Sequence, residues 1–394
     1  ARSKQKLWNK DIFIQSRYQK DLNGKTSFLL SGKYSHSYTR YIDPDFQNGV
    51  GGLDDRYNQD EFYLSAAVRT QLARNLTSAI ATDASWNRLS ANTNNFVEPV
   101  RFGLWNSFAL KYSSGPVRLT GSILNTYFSD ETRLTSTKIK HNKLIPTASV
   151  SLIPKGNSPF LFRFFFKSAY RMPTFNDLYY TFIGNRNLSP EISYQYNFGI
   201  TWSKNDLGKL TKINVSADGY LNKIKDKIVA VPNQNLFNWT MYNLGKVNIK
   251  GIDINAETNI NVTPEMNWFT RVSYTFQHAV DITDPTMVTY KNRIPYTPDN
   301  SGSLLTYLSY KNWTVSYSLL FSGKRYSMRA NDPTNRLSGW AIQDITIIRK
   351  LKFHSIEMDV KAGLNNIFNS RYDVVRYFPM PGQNYLFTLN FSNL

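Results

Sequence analysis

The sequence predicts an all-β protein, a transmembrane antiparallel β-barrel. Three observations predict it: a period-two alternation carried to the last residues, runs about ten residues long, and connectors that alternate between short and long.

The alternation is clearest in "WTVSYSLLFS". Trp313, Val315, Tyr317, Leu319 and Phe321 share one face, and Thr314, Ser316, Ser318 and Ser322 the other. In "SIEMDVKAGLN", Ile356, Met358, Val360, Ala362 and Leu364 oppose Glu357, Asp359, Lys361, Gly363 and Asn365. Ile192, Tyr194, Tyr196, Phe198, Ile200 and Trp202 oppose Ser193, Gln195, Asn197, Gly199 and Thr201 in the same way. Successive strand side chains point to opposite faces, so these runs read as strands with one greasy and one wet side.

Soluble strands average about five or six residues, whereas a tilted strand needs about 9–11 to cross a bilayer. About seventeen such runs are present. Short connectors hold turn residues: "DLNGK" at 21–25, "SSGP" at 113–116, "IPKGNSP" at 153–159, "KNDLGK" at 204–209 and "VTPE" at 262–265. Longer ones fall between, at 41–59, 91–100, 130–140, 172–190, 227–242, 281–298, 324–338 and 368–382. Short periplasmic turns and long extracellular loops are the layout of an outer-membrane barrel. The apolar face then meets lipid, which offers no hydrogen bonds. Arg163, Lys167, Lys212, Asp253, Glu257, Arg271 and Lys361 then face a lumen that is wide and wet or holds another polar domain.

Composition agrees. Aromatic residues make up 15% of the 394, with 25 Tyr matching 25 Phe. Such amphipathic rings suit a surface that is partly greasy and partly wet. The formal net charge of +19 favours anionic partners, but the cations are scattered without a basic tail, which argues against nucleic acid. There is no Cys for disulfides or thiolate metal sites. No apolar stretch reaches the ~18 residues of a transmembrane helix. A soluble propeller would need shorter strands or strands buried on both faces.

No enzyme constellation is present: the four His (His36, His141, His278, His354) form no metal-binding pair, and neither a nucleophile elbow nor a P-loop occurs. The acidic stretch at 41–61 gathers Asp43, Asp45, Asp54 and Asp55 among its carboxylates. Carboxylates clustered around glycine turns are Ca²⁺ ligands in kind, though solvated loop acids have the same composition. The long loops carry aromatic and cationic pairs: Tyr179, Tyr180 and Arg186, then Arg325 and Tyr326, then Arg376 and Tyr377. Such pairs suit a ligand with flat apolar and anionic parts. They equally suit an aromatic girdle or loop packing.

One loop carries two boxes. "YRMP" supplies Tyr170, Arg171 and Pro173, and "NRNLSPE" supplies Asn185, Leu188, Pro190 and Glu191. With "YNLGKVNIKGIDINAE" (242–257) and the closing "GLNNIFNSRYDVVRYFPMPGQNYLFTLNF" (363–391), these stretches resemble the TonB-dependent outer-membrane receptor family. Two departures stand out: Arg186 occupies a position the family usually gives to Pro, and the aromatic Phe391 lies short of the last residue.

The resemblance implies a barrel of about twenty-two strands around a plug, in the bacterial outer membrane. Residues 1–394 are then expected to be barrel, with the N-terminal plug and first strands absent from this chain. It implies active import of a scarce nutrient, of the cobalamin type or next the ferric siderophore type; no His lies between the two boxes, which argues against haem. The implied partners are outer-membrane lipid and lipopolysaccharide, the plug, the TonB complex, the nutrient and, where the family uses one, a surface lipoprotein. The alternative is a passive porin, or a binding receptor or adhesin without active transport.

Overall fold

The computed structural model describes residues 4–46, 51–133, 135–154, 158–181, 183–232, 239–353 and 356–393. Seventeen long strands make an antiparallel sheet. They are β1 (Lys6–Asn23), β2 (Thr26–Asp43), β3 (Leu53–Ala73), β4 (Leu76–Ala91), β5 (Pro99–Ser114), β6 (Val117–Thr132), β7 (Thr135–Leu152) and β8 (Phe160–Arg171). A one-turn helix, α1 (Phe175–Tyr179), precedes β9 (Glu191–Leu207), β10 (Leu210–Pro232), β11 (Trp239–Thr263), β12 (Met266–Asp281), β13 (Asn300–Tyr310) and β14 (Trp313–Ser322). The last three are β15 (Trp340–Phe353), β16 (Ile356–Asn365) and β17 (Asn384–Asn393). Two short strand pairs, Arg325–Tyr326 with Arg336–Leu337 and Asp373–Val375 with Phe378–Pro379, lie within the loops.

The chain divides into two compact units, Ala1–Val150 with Lys167–Pro190, and Ser151–Phe166 with Glu191–Leu394. In the first, β1 to β6 pair as a meander, and the register aligns Ile14, Tyr34, Phe62, Trp86 and Phe102 in one row. Tyr34 and Phe62 meet at 4.7 Å, and Phe62 and Trp86 at 5.8 Å. These rings have no protein above them: Phe62 is 53% exposed. An apolar face uncovered by protein requires lipid. Glu61 and Lys33 pair on the opposite face at 3.7 Å, where Tyr63 also donates to Asp83 at 3.0 Å.

In the second unit, the start of β8 and β10 to β12 carry a polar network on one face. Arg163 binds Asp218 at 3.0 Å, Glu257 receives Lys212 at 2.9 Å and Arg271 at 2.6 Å, and Thr275 donates to Asp253 at 2.8 Å. Gly199 makes room for the first pair, because a Cβ there would lie 2.1 Å from Asp218 Oδ1. Phe198, Ile252, Ile254 and Val272 stay exposed on the other face. In β14 to β16 the register sets Trp313 level with Arg349 and Val360, so Glu357, Asp359 and Lys361 fall on the opposite face, as the alternation predicts.

The connectors partly differ from expectation. The described residues of 130–140 and 227–242 are largely strand, with pairs such as Ile228 to Asn243 continuing up the β10–β11 hairpin. Main-chain groups projecting beyond lipid keep the ladder when it satisfies them. Residues 172–190, conversely, hold α1, which the alternation does not foretell. Its signal is the capping pair Thr174 and Asp177, three residues apart.

Buried apolar clusters lie at the loop ends of the strands. Tyr57, Leu89 and Phe175 form one in the first unit, and Ile224, Leu244, Val247, Ala279 and Ile294 one in the second. In the first unit the turns at Asn23-Gly24 and Gly115-Pro116 fall at the strand ends away from Tyr57 and Leu89. The 172–190 loop therefore sits at the rim opposite the tight turns.

Candidate ligand-binding loops

Loop 172–190 is built on its two boxes. Pro173 lacks a donor and ends β8, and it is fully buried. Its carbonyl accepts from Arg101 Nη1 at 2.6 Å, and Arg101 grips Asp130 bidentately at 2.7 and 2.6 Å. The Thr174 amide donates to Asp177 at 2.9 Å and the Asp177 amide returns to Thr174 Oγ1 at 3.1 Å, capping α1. Arg171 donates to the same carboxylate at 3.0 Å. The second box closes back: Asn185 N donates to the Asp177 carbonyl at 2.8 Å, Leu188 N to the Asn185 carbonyl at 3.4 Å, and Asn187 N to Asn185 Oδ1 at 3.0 Å. Pro190 precedes Glu191, whose Oε2 accepts from the Ile228 amide at 2.9 Å. Tyr170 packs near Phe128 at 6.4 Å.

The boxes thus shape the loop through main-chain bonds. Of its aromatic candidates, Tyr180 stacks on Tyr57 at 4.4 Å and Tyr179 packs edge-on against Phe96 and Phe175. Burial pushes both hydroxyls above the usual tyrosine value of 10.0. Arg186 is exposed, its guanidinium 5.9 Å from the Tyr179 ring centroid. Of the three candidates Tyr179, Tyr180 and Arg186, Arg186 is therefore the one with room to meet a solute.

In the second unit Arg325 is 3% exposed and donates to the carbonyls of Ser338, Asp373 and Val374. Burial lowers its pKa, and three carbonyl oxygens accept hydrogen bonds from its N–H groups. Arg376 donates to the Thr334 carbonyl at 2.8 Å and Ser327 Oγ at 3.4 Å, with its guanidinium over Tyr377 at 5.2 Å. Tyr326 accepts at its carbonyl from the Tyr296 amide at 2.7 Å. The structure brings Arg325, Tyr326, Arg376 and Tyr377 together as the frame joining two loops. Buried arginines that bond carbonyls hold chain segments in place.

In the acidic segment, Asp54 is held by Arg40 at 2.6 Å and Arg56 at 2.8 Å. Asp43 accepts from Gln5 at 2.9 Å, Asp45 pairs with Lys4 at 3.3 Å, and the Tyr57 hydroxyl donates to Asp55 at 3.4 Å. Among the described residues no three His, Asp or Glu side chains gather into a metal-binding group.

Sequence reasoning missed a cleft of about 710 Å³ lined by Arg336, Trp340, Arg371, Tyr372 and Asp373 among others. Trp340 and Tyr372 have ring centroids 4.8 Å apart. The usable signal was the pair of loop-flanking segments "RLSGW" and "SRYD", each joining Arg to a ring.

Long two-faced strands, with tight turns and a braced loop at opposite strand ends in the first unit, are the pattern of a membrane-spanning β-sheet. The sequence matches the family described as TonB dependent receptor-like, beta-barrel, over residues 2–367, and the chain belongs to that family. It is 25% identical over 229 residues to "Vitamin B12 transporter BtuB" of Photobacterium profundum, covering 57% of this chain and 34% of that protein. The Vibrio vulnificus protein of the same name is 26% identical over 230 residues, covering 57% and 33%. The matched stretch is thus about a third of the length of these curated relatives. Among solved structures, "Copper transporter OprC" superposes with a TM-score of 0.78 at 12% identity, over 98% of this chain and 65% of that one. The siderophore receptor PiuA from Acinetobacter baumannii gives 0.74 at 13%, over 99% and 65%. At such identities these structures speak for the fold alone.

Proposed function

We propose that this chain is the membrane-spanning portion of an energy-coupled importer in the bacterial outer membrane, and that its cargo is a corrinoid of the vitamin B12 kind. Family membership over residues 2–367 carries the importer reading, and the similarity to two vitamin B12 transporters supports the cargo. In this reading, loops at one rim capture the nutrient, a plug fills the lumen, and TonB drives its release. The two-faced strands are consistent with it, one face for lipid and one charged face for a solute path. Lipid and lipopolysaccharide contact the apolar face and the Arg40, Asp54 and Arg56 cluster above it.

Uptake of radiolabelled cyanocobalamin by cells with and without the full-length gene tests this, with and without an uncoupler. Active import predicts uptake that needs the gene and stops when the proton-motive force collapses. Gene-dependent uptake that survives the uncoupler would identify a passive pore instead.

A further inference from the structure

The loops of the second unit hold two kinds of arginine. Arg325 and Arg376 spend their donors on carbonyl and hydroxyl oxygens of neighbouring loops. Arg336 and Arg371 are exposed and line the 710 Å³ cleft, and among the described residues neither has an ion-pair partner. An arginine fork without an acceptor is matched to carboxylate or phosphate. Asp373 also lines the cleft, leaving one positive charge in excess.

The rings of Trp340 and Tyr372 line the same cleft, inclined at 39° to each other. The two rings pack on each other and together present an aromatic surface to the cleft, against which a flat ring can stack. The Trp340 indole N–H is shielded from solvent and has no acceptor in the structure. A buried donor left unmade is costly, so a local rearrangement of the cleft that brings an acceptor to it is favoured. The volume is within the range of about 300–1,000 Å³ for small-molecule sites. Position agrees: Trp340 pairs with Ser322, in phase with Ser318 and Asp344, on the polar face of the sheet.

We propose that this cleft is a subsite for an anionic group joined to a flat ring, with Arg336 and Arg371 receiving the anion and Trp340 and Tyr372 the ring. The proposal rests on the import reading above. Two ligands share that chemistry: a corrinoid whose nucleotide tail joins a phosphodiester to benzimidazole, and a ferric aryl-anion complex.

The test measures equilibrium binding to the full-length receptor of three probes: cyanocobalamin, dicyanocobinamide, which lacks the nucleotide tail, and ferric 2,3-dihydroxybenzoate. The double substitution R336E/R371E lowers affinity about tenfold or more, and Trp340→Phe, which keeps the ring and loses the N–H, about threefold. The control R336K/R371K, which keeps the charge and loses the fork, binds less tightly than the natural receptor but more tightly than R336E/R371E, and folded migration on unheated gels shows that each variant assembles. Loss for cyanocobalamin with cobinamide unchanged assigns the corrinoid tail; loss for the ferric complex assigns the aryl anion. A receptor that binds cyanocobalamin or the ferric complex, and binds it equally well in every variant, overturns the subsite and leaves the import reading standing. A receptor that binds none of the three overturns the subsite, while uptake separately decides the import reading.

Discussion

Arg101 donates through Nη1 to the carbonyl oxygen of Pro173 at 2.6 Å, while its other nitrogens hold Asp130 at 2.7 and 2.6 Å. One guanidinium thus fastens the start of the 172–190 loop to β5 and β6. Its faces are covered by Phe175 at 5.2 Å and Phe128 at 5.9 Å, which removes water from the pair.

Arg101→Met should therefore leave the half-buried Asp130 without its partner and release the loop. The expected loss is about 3–5 kcal/mol, most of it the stranded carboxylate. Limited trypsin digestion reads this as faster cleavage after Arg186. R101M/D130L should recover most of the stability, and a single variant as resistant as the natural protein would show that the bond positions nothing.

High pH should loosen the same loop. Burial raises the Tyr179 and Tyr180 hydroxyls above 10.0, so their stabilising contribution is complete below that value and is lost as pH climbs through the raised folded values. Amide exchange at 175–181 should stay slow up to about pH 10 and accelerate beyond it, apart from intrinsic base catalysis. Tyr179→Phe with Tyr180→Phe should remove the extra acceleration.

Two neighbouring glycines should behave oppositely. A Cβ at Gly199 meets Asp218 Oδ1 at 2.1 Å and Arg163 Nη2 at 2.9 Å, whereas at Gly219 nothing lies within 4 Å. Gly199→Ala should cost about 1–3 kcal/mol by displacing the ion pair. Gly219→Ala should be neutral or slightly stabilising. Thermal unfolding in detergent compares them, and equal midpoints would contradict the packing described.

The face assignment makes a sharper demand. Val315 is 47% exposed on the apolar face of β14, and Ser316 points the other way. Val315→Arg should destabilise the folded state in vesicles by about 2–4 kcal/mol, and Ser316→Arg should be tolerated. Equal penalties would mean the two faces see the same medium.

The sequence by itself determined the strands and their faces. Alternation such as Ile192 to Trp202 against Ser193 to Thr201 is a local property, and lipid on one side with water on the other admits no second solution. Tight turns marked by Asn23-Gly24 and Gly115-Pro116 announced themselves for the same reason. Tertiary structure alone decided which loop arginines are braces and which are free. Arg325, Arg336, Arg371 and Arg376 look alike in sequence; they differ because the acceptors for Arg325 and Arg376 are mainly backbone carbonyls, placed only when distant loops meet. The carboxylates at 43–55 read as one cluster in the chain, yet paired strands set Asp54 between Arg40 and Arg56, where cross-strand neighbours supply its countercharge. Local pattern fixes where a side chain points, while long-range pairing fixes what it meets.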